Sequence, residues 1–175
     1  MHLHSLWVST NAKDGAQLNI SGYDLRGGIS FAHTCLTMAK INRAMLYGVN
    51  FVDAQLQASD FREADVRYAN FLSADMRGAD FKGAKMNNAN LQGAQLYPLA
   101  LAHGRTLTTD MSRASLRYAN LSGASLRQVV FRGTDLSYAN LLGADLTGAD
   151  LTDANLEGAR LNPTTQAALH LVKHE

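Results

Sequence analysis

The sequence predicts an all-β solenoid, and three observations predict it. Every fifth residue from Phe31 to Leu161 is apolar, 27 positions with Thr106 as the single exception. The residue two places before each centre is Ala at 18 of them, from Ala39 to Ala159. The residue just before the centre is Asp or Asn at 14, and Gly stands two places after it nine times. A period of five fits neither a helix, whose apolar residues recur about every 3.6, nor a plain strand, which alternates. It fits a short extended segment whose centre and second-preceding residue point inward, followed by a turn that Gly eases. Self-similarity at a fixed period means stacked repeats rather than one globular core.

Near copies such as Ala144-Asp145-Leu146-Thr147-Gly148 and Ala154-Asn155-Leu156-Glu157-Gly158 carry the pattern. These residues resemble the pentapeptide-repeat family, whose consensus is Ala-(Asp/Asn)-Leu-x-x, over residues 31–161. The resemblance implies a right-handed quadrilateral β-helix with four pentapeptides per coil. About seven coils and a rod roughly 30–35 Å long would follow. The resemblance also implies a bacterial source, no enzymatic activity, and use of the Asp/Asn slot for turn hydrogen bonds.

In chain order, residues 1–17 read as an N-terminal cap, because His2–Gln17 is out of register and holds the sole Trp, Trp7. Leu3, Leu6 and Trp7 are expected to form the face of a short helix that plugs the first coil. Leu18 and Leu25 open degenerate repeats, and the register slips by one at Arg26-Gly27-Gly28, where two glycines accommodate a bulge. The β-helix is expected over 18–162. All six Phe sit at centres. Phe31, Phe51 and Phe71 are twenty apart and should stack as a ladder, as should Phe61 and Phe81.

The span Tyr97–Thr109 breaks the pattern, with Pro98 at a turn position and Gly104 in the inner slot. Leu96 to Met111 is still fifteen residues, so the count of five holds. These repeats either stay in the wall with poor cores or bulge out as a loop; a distorted wall with a local bulge is the expectation. Residues 163–175 read as a helical cap, with Asn162 as N-cap and Pro163 at the first helical position. Leu169 and Val172 would cover the last coil or, as the resemblance implies, serve a homodimer contact at the C-terminal end.

Composition fits one soluble domain: 46% hydrophobic, 18% charged, net charge +1. The lone Cys35 allows no intrachain disulfide and fits a reducing compartment. Met1–Gly15 lacks the apolar core of a signal peptide, and no stretch reaches the roughly 18 apolar residues of a membrane span. A cytoplasmic location and no membrane partner are expected.

No residue set points to catalysis, a cofactor or a metal. His33 and Cys35 are close in sequence, but no acid is placed to orient the imidazole. His170 and His174 have helical metal-pair spacing without a third ligand. His2 and His4 read as solvated. What the walls display is more informative. At a spacing of twenty, Arg77, Tyr97 and Arg117 would form one outward column and Pro98, Tyr118 and Tyr138 the next, with Arg113 and Arg132 on the adjoining face. Tyr and Arg are enriched at interface hot spots. A smaller apolar column, Val52 over Leu72, competes with them.

The expected function is therefore a non-catalytic protein-protein interaction or scaffold module. The alternative, implied by one branch of the resembling family, is a DNA-mimicking DNA gyrase binder linked to quinolone tolerance. A net charge of +1 and a basic middle are a poor fit to it. Direct nucleic-acid binding through the basic band Arg105–Arg132 is disfavoured, because its arginines fall on at least three of the four faces.

Overall fold

The computed structural model describes residues 1–11 and 13–165. From Ser30 onward the chain advances by single parallel bridges between residues twenty apart: Ser30 to Asn50, Cys35 to Gln55, Lys40 to Asp60, Met45 to Asp65. Four bridges per twenty residues make a four-sided coil, and successive coils stack as a β-solenoid. The two opening bridges, Asn19 to Lys40 and Asp24 to Met45, are twenty-one apart. The extra residue falls at Arg26-Gly27-Gly28, where both glycines have left-handed φ (118° and 105°).

The Asp/Asn slot has one job common to every copy. At all fourteen centres preceded by Asp or Asn, that side chain's Oδ1 accepts the N–H two residues on and so folds the corner. Along one face the carboxamides also link coil to coil. Asn90 donates to Asn70, Asn120 to Asn90 and Asn140 to Asn120, at 3.0–3.3 Å.

The core is a thin continuous column. Phe31, Phe51 and Phe71 stack at 5.4 and 4.8 Å, and Phe61 stacks on Phe81 at 4.7 Å. The two ladders face one another across the bore and meet edge to face at 5.8–6.2 Å. Phe51, Phe61, Phe71, Phe81 and Phe131 are all fully buried. Each contributes about 1.5–3 kcal/mol of gross burial before chain entropy is counted. The inward Ala residues from Ala39 to Ala144 lie beside them, buried likewise.

The span 97–109 corrects the expected distorted wall. Bridges across it join residues thirty apart: Asp80 to Asp110, Lys85 to Ser115, Asn90 to Asn120, Gln95 to Ser125. Ten residues have left the wall. They form a small hairpin, β1 (Leu99–Ala100) antiparallel to β2 (Thr106–Leu107), with a 3-10 turn at Ala102–Gly104. The departure has a local cause. In other coils the second corner residue donates its N–H to the coil above, as Ala58 does to Arg77, and Pro98 has no N–H to give. Re-entry is fastened by Thr109, fully buried in an inner slot, whose Oγ1 accepts the Gly78 N–H at 2.9 Å and donates to the Met76 carbonyl at 3.3 Å.

At the N-terminus, helix α1 (His2–Ser9) forms as expected but buries a different face. Leu3 and Leu6 are exposed, Trp7 is half-buried, and His4 is buried. His4 Nδ1 accepts the Leu18 N–H at 3.0 Å, tying helix to first coil, and its ring lies over Trp7 at 6.0 Å. A solvated His4 is thus corrected: an imidazole can take the amide of Leu18, which a leucine could not. Gly15 lets the returning chain press on the helix, since a Cβ there would stand 2.2 Å from the Leu3 carbonyl oxygen.

At the other end, residues 163–165 turn helical at Pro163. Asn162 Oδ1 accepts the N–H of Gly143 at 3.0 Å, satisfying the coil below. Leu169, Val172, His170 and His174 lie outside the described residues.

Candidate interaction edges

Each corner of the coil carries two outward residues, the first and second after a centre. The second adopts left-handed φ and donates its N–H to the first corner residue one coil on. One edge is traced by Gly48 to Arg67, Tyr68 to Asn87, Asn88 to Arg117, Tyr118 to Ser137 and Tyr138 to Glu157. Its second-residue column therefore runs Gly48, Tyr68, Asn88, Tyr118, Tyr138, Gly158. Its first-residue column runs Tyr47, Arg67, Asn87, Arg117, Ser137, Glu157.

The predicted Arg/Tyr wall is divided by this phase. Arg77 does lie over Tyr97, with its guanidinium 5.2 Å from the ring centroid and bonded to Asp75 at 2.7 Å. Arg117, Tyr118 and Tyr138 stand two edges away, diagonally opposite, because ten omitted residues are half a coil. There Tyr118 stacks on Tyr138 at 5.1 Å, and the Arg117 guanidinium sits 5.6 and 5.9 Å from their rings. The excursion instead brings in three residues that the sequence reading missed. Tyr47 and Tyr68 pair at 5.0 Å, with Arg67 5.8 Å from the Tyr47 ring. Counting by twenty with ten residues removed would have found them.

Four tyrosines thus line one edge, each 42–54% exposed. Tyr68, Tyr118 and Tyr138 have φ of 58–59°, a region that bulky side chains rarely occupy. Tyr138 fits because Gly158 lies beneath it, where a Cβ would come within 2.5 Å of the ring, and its hydroxyl donates to Glu157. Two buried side-chain atoms on this edge, Asn87 Oδ1 and Ser137 Oγ, have no hydrogen-bond partner among the described residues. Native structures leave few such groups.

Arg113 and Arg132 occupy the edge between these two, on successive coils. With Glu63, Lys82, Gly83 and Ser112 they line an open cleft of about 440 Å³. Arg132 pairs with Asp150, and Lys82 with Asp110 at 3.0 Å.

Stacking also cancels the charge segregation seen in sequence. Arg117 faces Asp135 at 3.8 Å and Arg127 faces Asp145 at 4.0 Å, each one coil on. Within single corners, Arg67 holds Asp65 and Arg26 holds Asp24. The Arg67 hydrogen bonds keep the Asp65 carboxyl below the usual range, and Arg26 takes Asp24 down to about 2.

His33 has an acid after all: Asp53 Oδ2, one coil on, is 3.5 Å from its Nδ1, with both side chains exposed. Cys35 Sγ is 3.7 Å from the Thr37 hydroxyl. Among the described residues no group of three or more His, Cys, Asp or Glu is placed to hold a metal, and no helix is long and apolar enough to cross a membrane.

Fold and edges together define a repeat β-solenoid whose edges carry side-chain ladders. The family pattern "Pentapeptide repeats" matches in eight copies over residues 54–93, 109–133 and 126–162, and the chain belongs to that family. The gap between matches falls on the excursion. No curated protein sequence matches the chain. Among solved structures, it is similar to a pentapeptide repeat protein from the Arabidopsis thaliana thylakoid lumen, at 26% identity, 73% of this chain, 78% of that one and a TM-score of 0.59. It also aligns with QnrB1, a plasmid-mediated fluoroquinolone resistance protein, at 20% identity over 90% and 97% of the chains with a TM-score of 0.40. HetL, involved in heterocyst differentiation regulation in Nostoc sp. strain PCC 7120, aligns at 29% identity over 81% of each chain with a TM-score of 0.25.

Proposed function

We propose that this chain is a non-catalytic interaction rod, about seven right-handed quadrilateral coils capped at both ends, that binds another protein through its Tyr/Arg edge. The carrying observation is the run Tyr47, Arg67, Tyr68, Arg117, Tyr118 and Tyr138 along one corner, with all four rings exposed. Rings held in strained backbone and open to water are poor value for stability, whereas large amphipathic contacts at low rotamer entropy suit an interface. A cytoplasmic location accords with the single half-buried thiol of Cys35. A gyrase-binding DNA mimic needs a surplus of exposed anions, and here the acids are largely matched by arginines on the same or adjacent coils.

Asn88 already occupies the tyrosine column, so Tyr118→Asn with Tyr138→Asn removes the rings without introducing a foreign residue. Affinity capture from native lysate should lose its specific partner in the double variant, with the thermal midpoint shifted by less than about 4 °C. Equal capture by the double variant would exclude this edge.

A further inference from the structure

We propose that the edge from Tyr47 to Tyr138 takes an extended, proline-rich segment of a partner protein, lying along the rod axis in polyproline II conformation. This rests on the reading of the edge as a protein-binding surface and names the chemistry that it accepts.

Spacing is the first argument. Coils rise by about 4.8 Å, so Tyr68 and Tyr118, two coils apart, are offset by about 9.6 Å along the axis. A polyproline II chain repeats every three residues, or about 9.3 Å. One turn of such a chain therefore matches the step between the two tyrosine pairs. Between them, at Asn88, the edge carries no ring, while Tyr138 is turned onto Gly158 at the far end. The result is a notch with an aromatic wall on each side, the setting in which proline rings pack.

Charge is the second argument. Arg26, Arg67 and Arg117, the cations of this edge, are each matched by an aspartate: Asp24 at 2.6 Å, Asp65 at 2.7 Å, Asp135 at 3.8 Å. With these cations paired, and Glu157 the further acid of the edge, neither an acidic peptide nor a phosphate backbone gains an advantage, whereas an uncharged chain meets no opposing charge. Hydrogen bonding is the third. The hydroxyls of Tyr47, Tyr68 and Tyr118 donate to no protein acceptor among the described residues. A polyproline II backbone has no internal hydrogen bonds and presents its carbonyls outward, ready to accept. Its stiffness also limits the entropy lost on docking, which a single narrow edge needs.

The excursion acquires a role in this picture. By removing half a coil from the wall it phases Arg117, Tyr118 and Tyr138 onto the edge that already holds Tyr47, Arg67 and Tyr68.

The test is fluorescence anisotropy of fluorescein-labelled decaproline with the full chain, against a Gly/Ser peptide of equal length. Decaproline should saturate, with the Gly/Ser peptide and the Tyr68→Asn and Tyr118→Asn variants each weaker by about tenfold or more. Tyr97→Asn, on the opposite edge, should bind as wild type, and a rise in salt should leave affinity nearly unchanged. No saturation at millimolar decaproline, equal binding of the Gly/Ser peptide, equal loss in Tyr97→Asn, or binding abolished by salt would each overturn the proposal. A Tyr118-dependent dimer seen by sedimentation that excludes decaproline would overturn it in favour of a second copy of the chain. Lysate capture that depends on Tyr118 and Tyr138 without decaproline binding would overturn this inference and leave the interaction edge standing.

Discussion

Among single residues, His4 sets the pH response of the N-terminal helix. Burial lowers its pKa, the charge of the N-terminal ammonium acts in the same direction, and the Thr37 backbone opposes them. Because Nδ1 accepts the Leu18 N–H, the proton belongs on Nε2, and a second proton would break that bond. A folded pKa below the ordinary value of about 6.5 means that the unfolded chain binds the proton first as pH falls. The contribution is complete above that value and is lost as pH drops towards the folded pKa. Trp7 stacks on His4 and is the sole Trp, so its emission reports the event. It should change on titration from pH 7.5 to about 5 in wild type and stay flat in His4→Gln. An identical titration in both would separate the helix from His4.

At the scale of elements, the ten-residue excursion decides which surfaces exist, and Thr109 anchors its return. Thr109→Val keeps the volume and strands the Gly78 N–H, a loss of about 1–3 kcal/mol. The thermal midpoint should fall by roughly 2–10 °C, and an unchanged midpoint would mean that the anchor is idle. The same element marks where the sequence stopped being legible. Core centres, inner alanines and Asp/Asn turns could be read because each is local to one pentapeptide. The phase of the wall could not, because fifteen residues from Leu96 to Met111 serve equally as three wall pentapeptides or as one plus a ten-residue loop. A period of five is blind to that choice, and it moved Tyr118 half a coil from its expected neighbours. The available signals were Pro98, which lacks a donor, and Thr109 in place of Ala. His4 was misread for another reason: its burial follows from a long-range amide partner that no local pattern announces.

For the whole molecule, stacking turns a segregated sequence into a neutral rod. The basic span up to Arg132 and the acidic span after it become neighbours, so Arg117, Arg127 and Arg132 face Asp135, Asp145 and Asp150. Exposed pairs of this kind are screened by solvent and add little to stability, so their consequence lies in recognition. What remains distinctive at this scale is one edge bearing two tyrosine pairs, and it exists only if 97–109 leaves the wall. Disulfide trapping reads that phase directly. In a Cys35→Ser background, Asn88→Cys with Tyr118→Cys places two thiols on successive coils, about 4.8 Å apart at Cα and within bridging range. Tyr97→Cys with Arg117→Cys, which leaves Pro98 in place, would be the adjacent pair in an uninterrupted wall. Mild oxidation should cross-link the 88/118 pair within the monomer and leave 97/117 free, whereas cross-linking of 97/117 without 88/118 would contradict this phase.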